Sequence, residues 1–97
     1  MHFRFSWDPR KAASNLRKHG VSFFEACAVF SDPVSITRDD PDSDRAEERF
    51  ILIGRSAYDR ILTVVHAELW GAEIRLISAR PADREERECY EAASKAR

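Results

Sequence analysis

The apolar positions of this chain change period from segment to segment, and the changes mark out the elements. Phe3, Phe5 and Trp7 alternate with Arg4 and Ser6, the period of a half-buried strand over residues 2–7. Asp8-Pro9 then opens a helix, with Asp as N-cap and Pro at the first helical position. That helix runs to about His19, where Gly20 is placed to close it in the left-handed conformation. Ser22 and Glu25 have the spacing of a capping box for a second helix. Its apolar set of Phe23, Ala26, Cys27 and Phe30 is the i, i+3, i+4, i+7 stripe of a buried face, and Asp32-Pro33 stops it.

The second half reads as strands. Val34, Ile36 and Arg38 predict one strand, and residues 39–48 an acidic, solvated loop. Residues 49–56 and 61–69 are β-rich runs joined by a turn at 57–60. Trp70-Gly71-Ala72 makes the next turn and residues 73–79 the last strand, which Pro81 breaks. Asp83 with Glu86 caps a final helix that carries Cys89, Tyr90 and Ala93 on one side. The order β-α-α-β-β-β-β-α predicts an α+β fold: an antiparallel sheet with two N-terminal helices and one C-terminal helix, the helices on one side. Whether the first strand pairs at an edge or in the middle stays open.

Ninety-seven residues predict a single domain over 1–97. With 43% hydrophobic and 34% charged residues the chain suits a folded domain and not a disordered one. Cys27 and Cys89 lack paired spacing and are expected reduced and buried, in a cytoplasmic protein. Two cysteines and three scattered histidines give no metal-ligand pattern, so neither metal nor cofactor is implied. The N-terminal MHFRFSW lacks the apolar run of a signal peptide, so none is expected, and no apolar run reaches the ~20 residues that span a membrane. The net charge of −1 hides an asymmetry: residues 1–20 carry +4, residues 21–48 carry −6 and residues 49–80 carry +2. Such a balance argues against a protein that coats nucleic acid, and allows a local basic site beside an acidic loop.

Cations, a histidine and a tyrosine on so small a scaffold are what holding and cutting an RNA backbone needs. Cleavage without a metal requires a base for the ribose 2′-OH, an acid for the leaving 5′-oxygen, and fixed positive charge on the phosphate. Arg suits the last role because its planar fork holds two phosphate oxygens. Arg55 follows Gly54 at a strand end and alternates with Ile51 and Ile53; it serves a site there or pairs with Asp59. If Gly71-Ala72 forms a two-residue turn, Glu68 pairs with Arg75 and His66 with Ile77. His66, Glu68 and Arg75 then share one sheet face, as site residues or as a cross-strand ion pair beside an ordinary strand histidine. Arg80 stands at the last strand-to-helix junction and serves a site or neutralises the acids of the final helix. Tyr90 is either a core anchor or a group for stacking and proton transfer. Lys11, Asn15 and Lys18 form a polar stripe on the first helix, and Lys18 and His19 sit where the helix dipole favours cations. Lys11, Lys18 and His19 are the candidate RNA contacts, against simple solvation or helix capping.

F-x-W-D at Phe5–Asp8, N-L-x-K-H-G-V-S-F-x-E-A at Asn15–Ala26, V-F-x-D-P at Val29–Pro33, and I-R-x-I-S-A-R-x-A-x-x-x-E from Ile74 with a following Tyr90 resemble the BrnT family. The resemblance runs from Phe5 to about Tyr90. It implies a RelE-like fold and a type II toxin–antitoxin toxin, an endoribonuclease that cleaves RNA and inhibits translation. It also implies neutralisation by a BrnA-type DNA-binding antitoxin, with operator DNA met only through that antitoxin. A competing reading is a non-catalytic binding module that acts with the antitoxin in operon repression. A helix-turn-helix regulator is disfavoured, since neither N-terminal helix makes a basic recognition helix.

Asp8→Ala is expected to cost about 1 kcal/mol through loss of the helix cap. An unchanged melting temperature would contradict the assignment of that cap.

Overall fold

The computed structural model describes residues 3–43 and 47–96. Its elements are β1 (Arg4–Ser6), α1 (Pro9–His19), α2 (Phe23–Cys27), a 3-10 turn (Ala28–Ser31), β2 (Ile36–Asp39), β3 (Arg49–Arg55), β4 (Ile61–Glu68), a 3-10 turn (Trp70–Ala72), β5 (Glu73–Pro81) and α3 (Arg84–Lys95). The helix ends are the ones the sequence marks. Asp8 Oδ1 accepts from Arg10 N, Gly20 closes α1 at φ 67°, Ser22 accepts from Glu25 N, and Asp83 with Glu86 forms a reciprocal capping box.

The five strands make one sheet in the order β1-β5-β4-β3-β2. It is not purely antiparallel: β1 lies at an edge, parallel to β5, with Phe5 opposite Ile74. The helices also divide between its faces. Leu52, Leu62, Val64, Leu76 and Ala79 of the sheet join Val21, Phe23, Ala26 and Val29 in the main core. On the other face Ile53, Thr63 and Arg80 lie in register across three strands. Ile53 and Thr63 are buried there, and Arg80 bonds Glu86 of α3. So α1 and α2 cover one face and α3 covers part of the other.

Between β4 and β5 the turn takes three residues, closed by Leu69 N–H to Glu73 O. Gly71 and Ala72 both have positive φ there. The longer loop shifts the nearby pairing by one place, so that Glu68 faces Ile74, Ala67 faces Arg75 and His66 faces Leu76. An irregularity after Val65 absorbs the shift, and Val65 opposite Ser78 returns to the register a two-residue turn gives. Ile77 is the extra residue.

β1 ends opposite Arg75, so further along β5 that edge has no neighbouring strand. The amide of Asn15 on α1 takes the strand's place. It donates to Ala79 O (2.7 Å) and Val21 O (3.0 Å) and accepts from Ala79 N (3.0 Å). Asn15 is therefore buried, and the expected polar stripe of Lys11, Asn15 and Lys18 is broken at its middle. Gly54 makes a second close approach. A Cβ there would stand 2.9 Å from Val29 Cγ1, so what nears this backbone is the chain's own 29–35 segment and not a ligand. Part of the acidic segment expected as loop is structured: Asp39 ends β2, Asp40 is buried, and Ser43 Oγ bonds both backbone groups of Arg49. Residues 44–46 of that segment lie outside the described residues. Cys27 and Cys89 are free and half-buried.

Asn15→Ala leaves three buried backbone groups unpaired and is expected to cost about 3 kcal/mol. Denaturant unfolding measures this, and a loss below about 1 kcal/mol would deny the side chain its role as a substitute strand.

Candidate functional site

The sequence candidates sort into separate places. The register shift puts His66 and Glu68 on the α1/α2 face and Arg75 on the other, so the expected trio does not form: a one-residue slip moves a side chain to the opposite side of the sheet. His66 is 2% exposed, packed edge-on to Phe30 (centroids 4.8 Å) and tilted against Phe50. Its Nε2 lies 3.4 Å from Glu68 Oε2, and among the described residues Nδ1 has no partner. Burial pushes the imidazole below its ordinary pKa, against the pull of Glu68. The two residues line a hollow of about 520 Å³ with Phe3, Phe30 and Glu73. The Glu68 carboxylate at its wall makes it hostile to a phosphate, while the Glu73 carboxylate turns to Ser6 and Arg4 on the side of Arg75.

Arg55 and Tyr90 do come together, at the rim of another hollow of about 460 Å³. The Tyr90 hydroxyl donates to Asp32 Oδ2 (2.6 Å), which also accepts from Arg55 N (2.8 Å). The Arg55 guanidinium stands 5.7 Å from the Tyr90 ring centre and bonds Asp59 Oδ1 at 3.0 Å. Burial raises the Tyr90 hydroxyl pKa, and the Asp32 charge adds to it. For Asp32 burial works the same way, yet the hydrogen bonds from Tyr90, Arg55 and Val34 outweigh it and hold the carboxyl below its ordinary range. Asp32 reads from the sequence only as a helix stop. Next to this cluster Glu25 is buried against Arg60 and Ser56, a network no local motif announces.

Arg80 is gripped by Glu86 through two hydrogen bonds, of 2.7 and 2.9 Å. That fork, with lesser help from Asp83 N–H and Thr63, lowers the Glu86 carboxyl to about 2 against the opposition of burial. Lys18 and His19 are exposed in the last turn of α1. Lys11, seven residues earlier, lines a cleft of about 350 Å³ with Arg75, Asp8, Ser6 and Glu73.

Two arginines that the sequence reading passed over join Arg75 on its face. Arg38 is paired with Ile51, and Arg49 with Ala67, which in turn faces Arg75. Ile51, Val65, Ile77 and Ser78 between them are only half-buried, so this part of the sheet is open beyond α3. Arg75 and Arg49 both meet Glu47. Strand parity was the available signal: Arg49 shares its side with Ile51, Ile53 and Arg55. Among the described residues no three His, Cys, Asp or Glu side chains converge as metal ligands. No described helix is long and apolar enough to cross a membrane.

The Glu86 carboxyl is depressed on folding from 4.5 to about 2. Its stabilising effect is therefore present in full above the unfolded value and fades as pH falls towards 2. Glu86→Gln keeps the capping acceptor and loses the charge. It is expected to destabilise by about 2 kcal/mol at pH 7 and by almost nothing near pH 2. Urea unfolding at both pH values measures the difference, and an equal penalty at the two would contradict the ion pair.

No curated protein matches the chain. The fold is similar to the crystal structure of the Brucella abortus ribonuclease toxin BrnT, with a TM-score of 0.62 at 22% identity, over 86% of this chain and 100% of that one. Residues 7–86 match the family described as the ribonuclease toxin, BrnT, of type II toxin–antitoxin system. The match spans most of the chain and takes in α1 through the first turn of α3, so this protein belongs to the BrnT family of ribonuclease toxins.

Proposed function

We propose that the protein is a metal-independent endoribonuclease that lays the RNA backbone across the open sheet face, with the scissile phosphate at Arg75. The charge of the three candidate places carries this reading. The hollow at His66 has the Glu68 carboxylate on its wall and no arginine or lysine in its lining, and the Arg55 cluster has two acids to one arginine. On the open face Arg4, Arg38, Arg49 and Arg75 stand against Glu47 and Glu73. RNA binding draws most of its strength from phosphate neutralisation, so the net positive face is the favourable one.

On this reading Arg75 stabilises the pentacovalent phosphate, and Lys11, across the shared cleft, supplies a second cation. Attack by the neighbouring 2′-OH breaks the bond to the 5′-oxygen, leaving a 2′,3′-cyclic phosphate and a 5′-hydroxyl. His66 and Glu68 lie on the other side of the sheet, and Arg55 and Tyr90 lie at the far end of this side, held by Asp59 and Asp32; all four act as parts of the fold, as does Arg80 through its grip on Glu86. Cleavage of cellular RNA halts translation. As a type II toxin the protein has an antitoxin partner, which we take to be a BrnA-type DNA-binding protein that brings the pair to operator DNA.

Arg75→Ala is expected to lower RNA cleavage by about 100-fold or more, with the melting temperature unchanged. Product ends analysed by mass spectrometry are expected to carry cyclic phosphate, with the rate indifferent to chelator. Full activity in soluble Arg75→Ala protein would remove the site from this face. Intact RNA with the wild-type protein would favour a binding module that works only beside the antitoxin.

A further inference from the structure

Arg49, Ala67 and Arg75 stand in one row across β3, β4 and β5. Side chains of such a row point to one face, so the two arginines flank the alanine from strands about 10 Å apart. Ala67 is 1% exposed and offers only a methyl group, which leaves the space above it to the two guanidinium groups. Like charges this close repel, and a face that keeps both is stabilised by an anion between them. The structure shows that anion. Glu47 Oε2 accepts from Arg75 Nη2, and Glu47 Oε1 lies 3.9 Å from Arg49 Nε. One carboxylate thus bridges two arginines that come from different strands.

We propose that Arg49 and Arg75 are the two arms of a seat for one RNA phosphodiester, which the Glu47 carboxylate fills in the free protein. The proposal rests on the RNA-cleaving reading above and adds a second arm and an internal competitor. A phosphodiester presents two charged oxygens much as a carboxylate does, and an arginine fork accepts either. Side-chain exposures of 34% for Arg49, 45% for Arg75 and 24% for Glu47 keep the seat within reach of solvent. An ion pair that open contributes little stability, so an incoming phosphate displaces the carboxylate at small cost. Arg38, one row away on the same face, extends the positive track beyond the seat. Glu47 therefore sets a threshold: short or weakly held RNA meets an occupied seat, and only a strand that also engages the rest of the face displaces it.

The test is binding of a fluorescent 2′-O-methyl RNA oligonucleotide, which cannot be cleaved, measured by anisotropy at one ionic strength. Glu47→Gln is expected to tighten binding about fivefold. Glu48→Gln, which removes one charge from the adjacent exposed position, is expected to change it far less. Arg49→Ala is expected to weaken binding about tenfold, and in that background Glu47→Gln brings a smaller gain, since only the Arg75 arm is left to free. Equal tightening by both glutamine variants would reduce the effect to general charge and overturn the seat. So would an unchanged Kd for Glu47→Gln in a protein that cleaves ordinary RNA, and that result would leave the ribonuclease reading standing. A wild-type protein that neither binds the oligonucleotide nor cleaves RNA would overturn both.

Discussion

The amide of Asn15 is the joint on which this fold turns. β1 supplies three residues and then leaves, so the edge of β5 needs another partner for Ala79. A side-chain amide has the same donor and acceptor as a peptide group, and Asn15 offers both to Ala79 while its second N–H holds Val21 O. Three elements are tied by one buried group: α1, the turn into α2, and the last strand. Without those bonds buried peptide groups would stand unpaired inside the domain, at a cost comparable to much of its net stability. The same joint fixes α1 relative to β5, and so holds Lys11 in the cleft that Arg75 lines.

The second constraint is the three-residue turn before β5. A sheet has two sides and a period of two, so one residue more or less in a hairpin decides what faces what. Here it sends His66 into the aromatic cluster of the α1/α2 face and Arg75 out onto the open one. Beyond Val65 the irregularity at Ile77 restores the phase, which lets Ala79 return to the core and Arg80 to α3. The fold thus separates its carboxylate-lined hollow from its cation-bearing surface within one pair of strands.

The arginines divide by what their partners are. Arg60 and Arg80 grip Glu25 and Glu86, whose side chains are 1% and 13% exposed, and both carboxyls are held below their ordinary range by those forks. Removing either arginine strands a buried carboxylate, so these pairs belong to the architecture. Arg49 and Arg75 share an acid at the surface, where water and ligand can replace it. The same residue type does structural work where the acid is buried and stays exchangeable where the acid is open.

Local chemistry in the sequence determined the helix caps, the strand segments and the element order. Asp8, Gly20, Ser22 and Asp83 act on backbone groups within a few residues, and no distant contact overrides them. The dispersed motifs also carry the resemblance to the ribonuclease toxin family. What the sequence left open was everything fixed by long-range pairing. Parallel docking of β1, burial of Asn15 and the grip of Arg60 on Glu25 join residues 35 to 69 positions apart. Arg38 and Arg49 stood apart from Arg75 in the chain, and strand pairing set all three on one face. The turn and its compensating irregularity chose that face, because period-two geometry converts a single residue of loop length into a change of side.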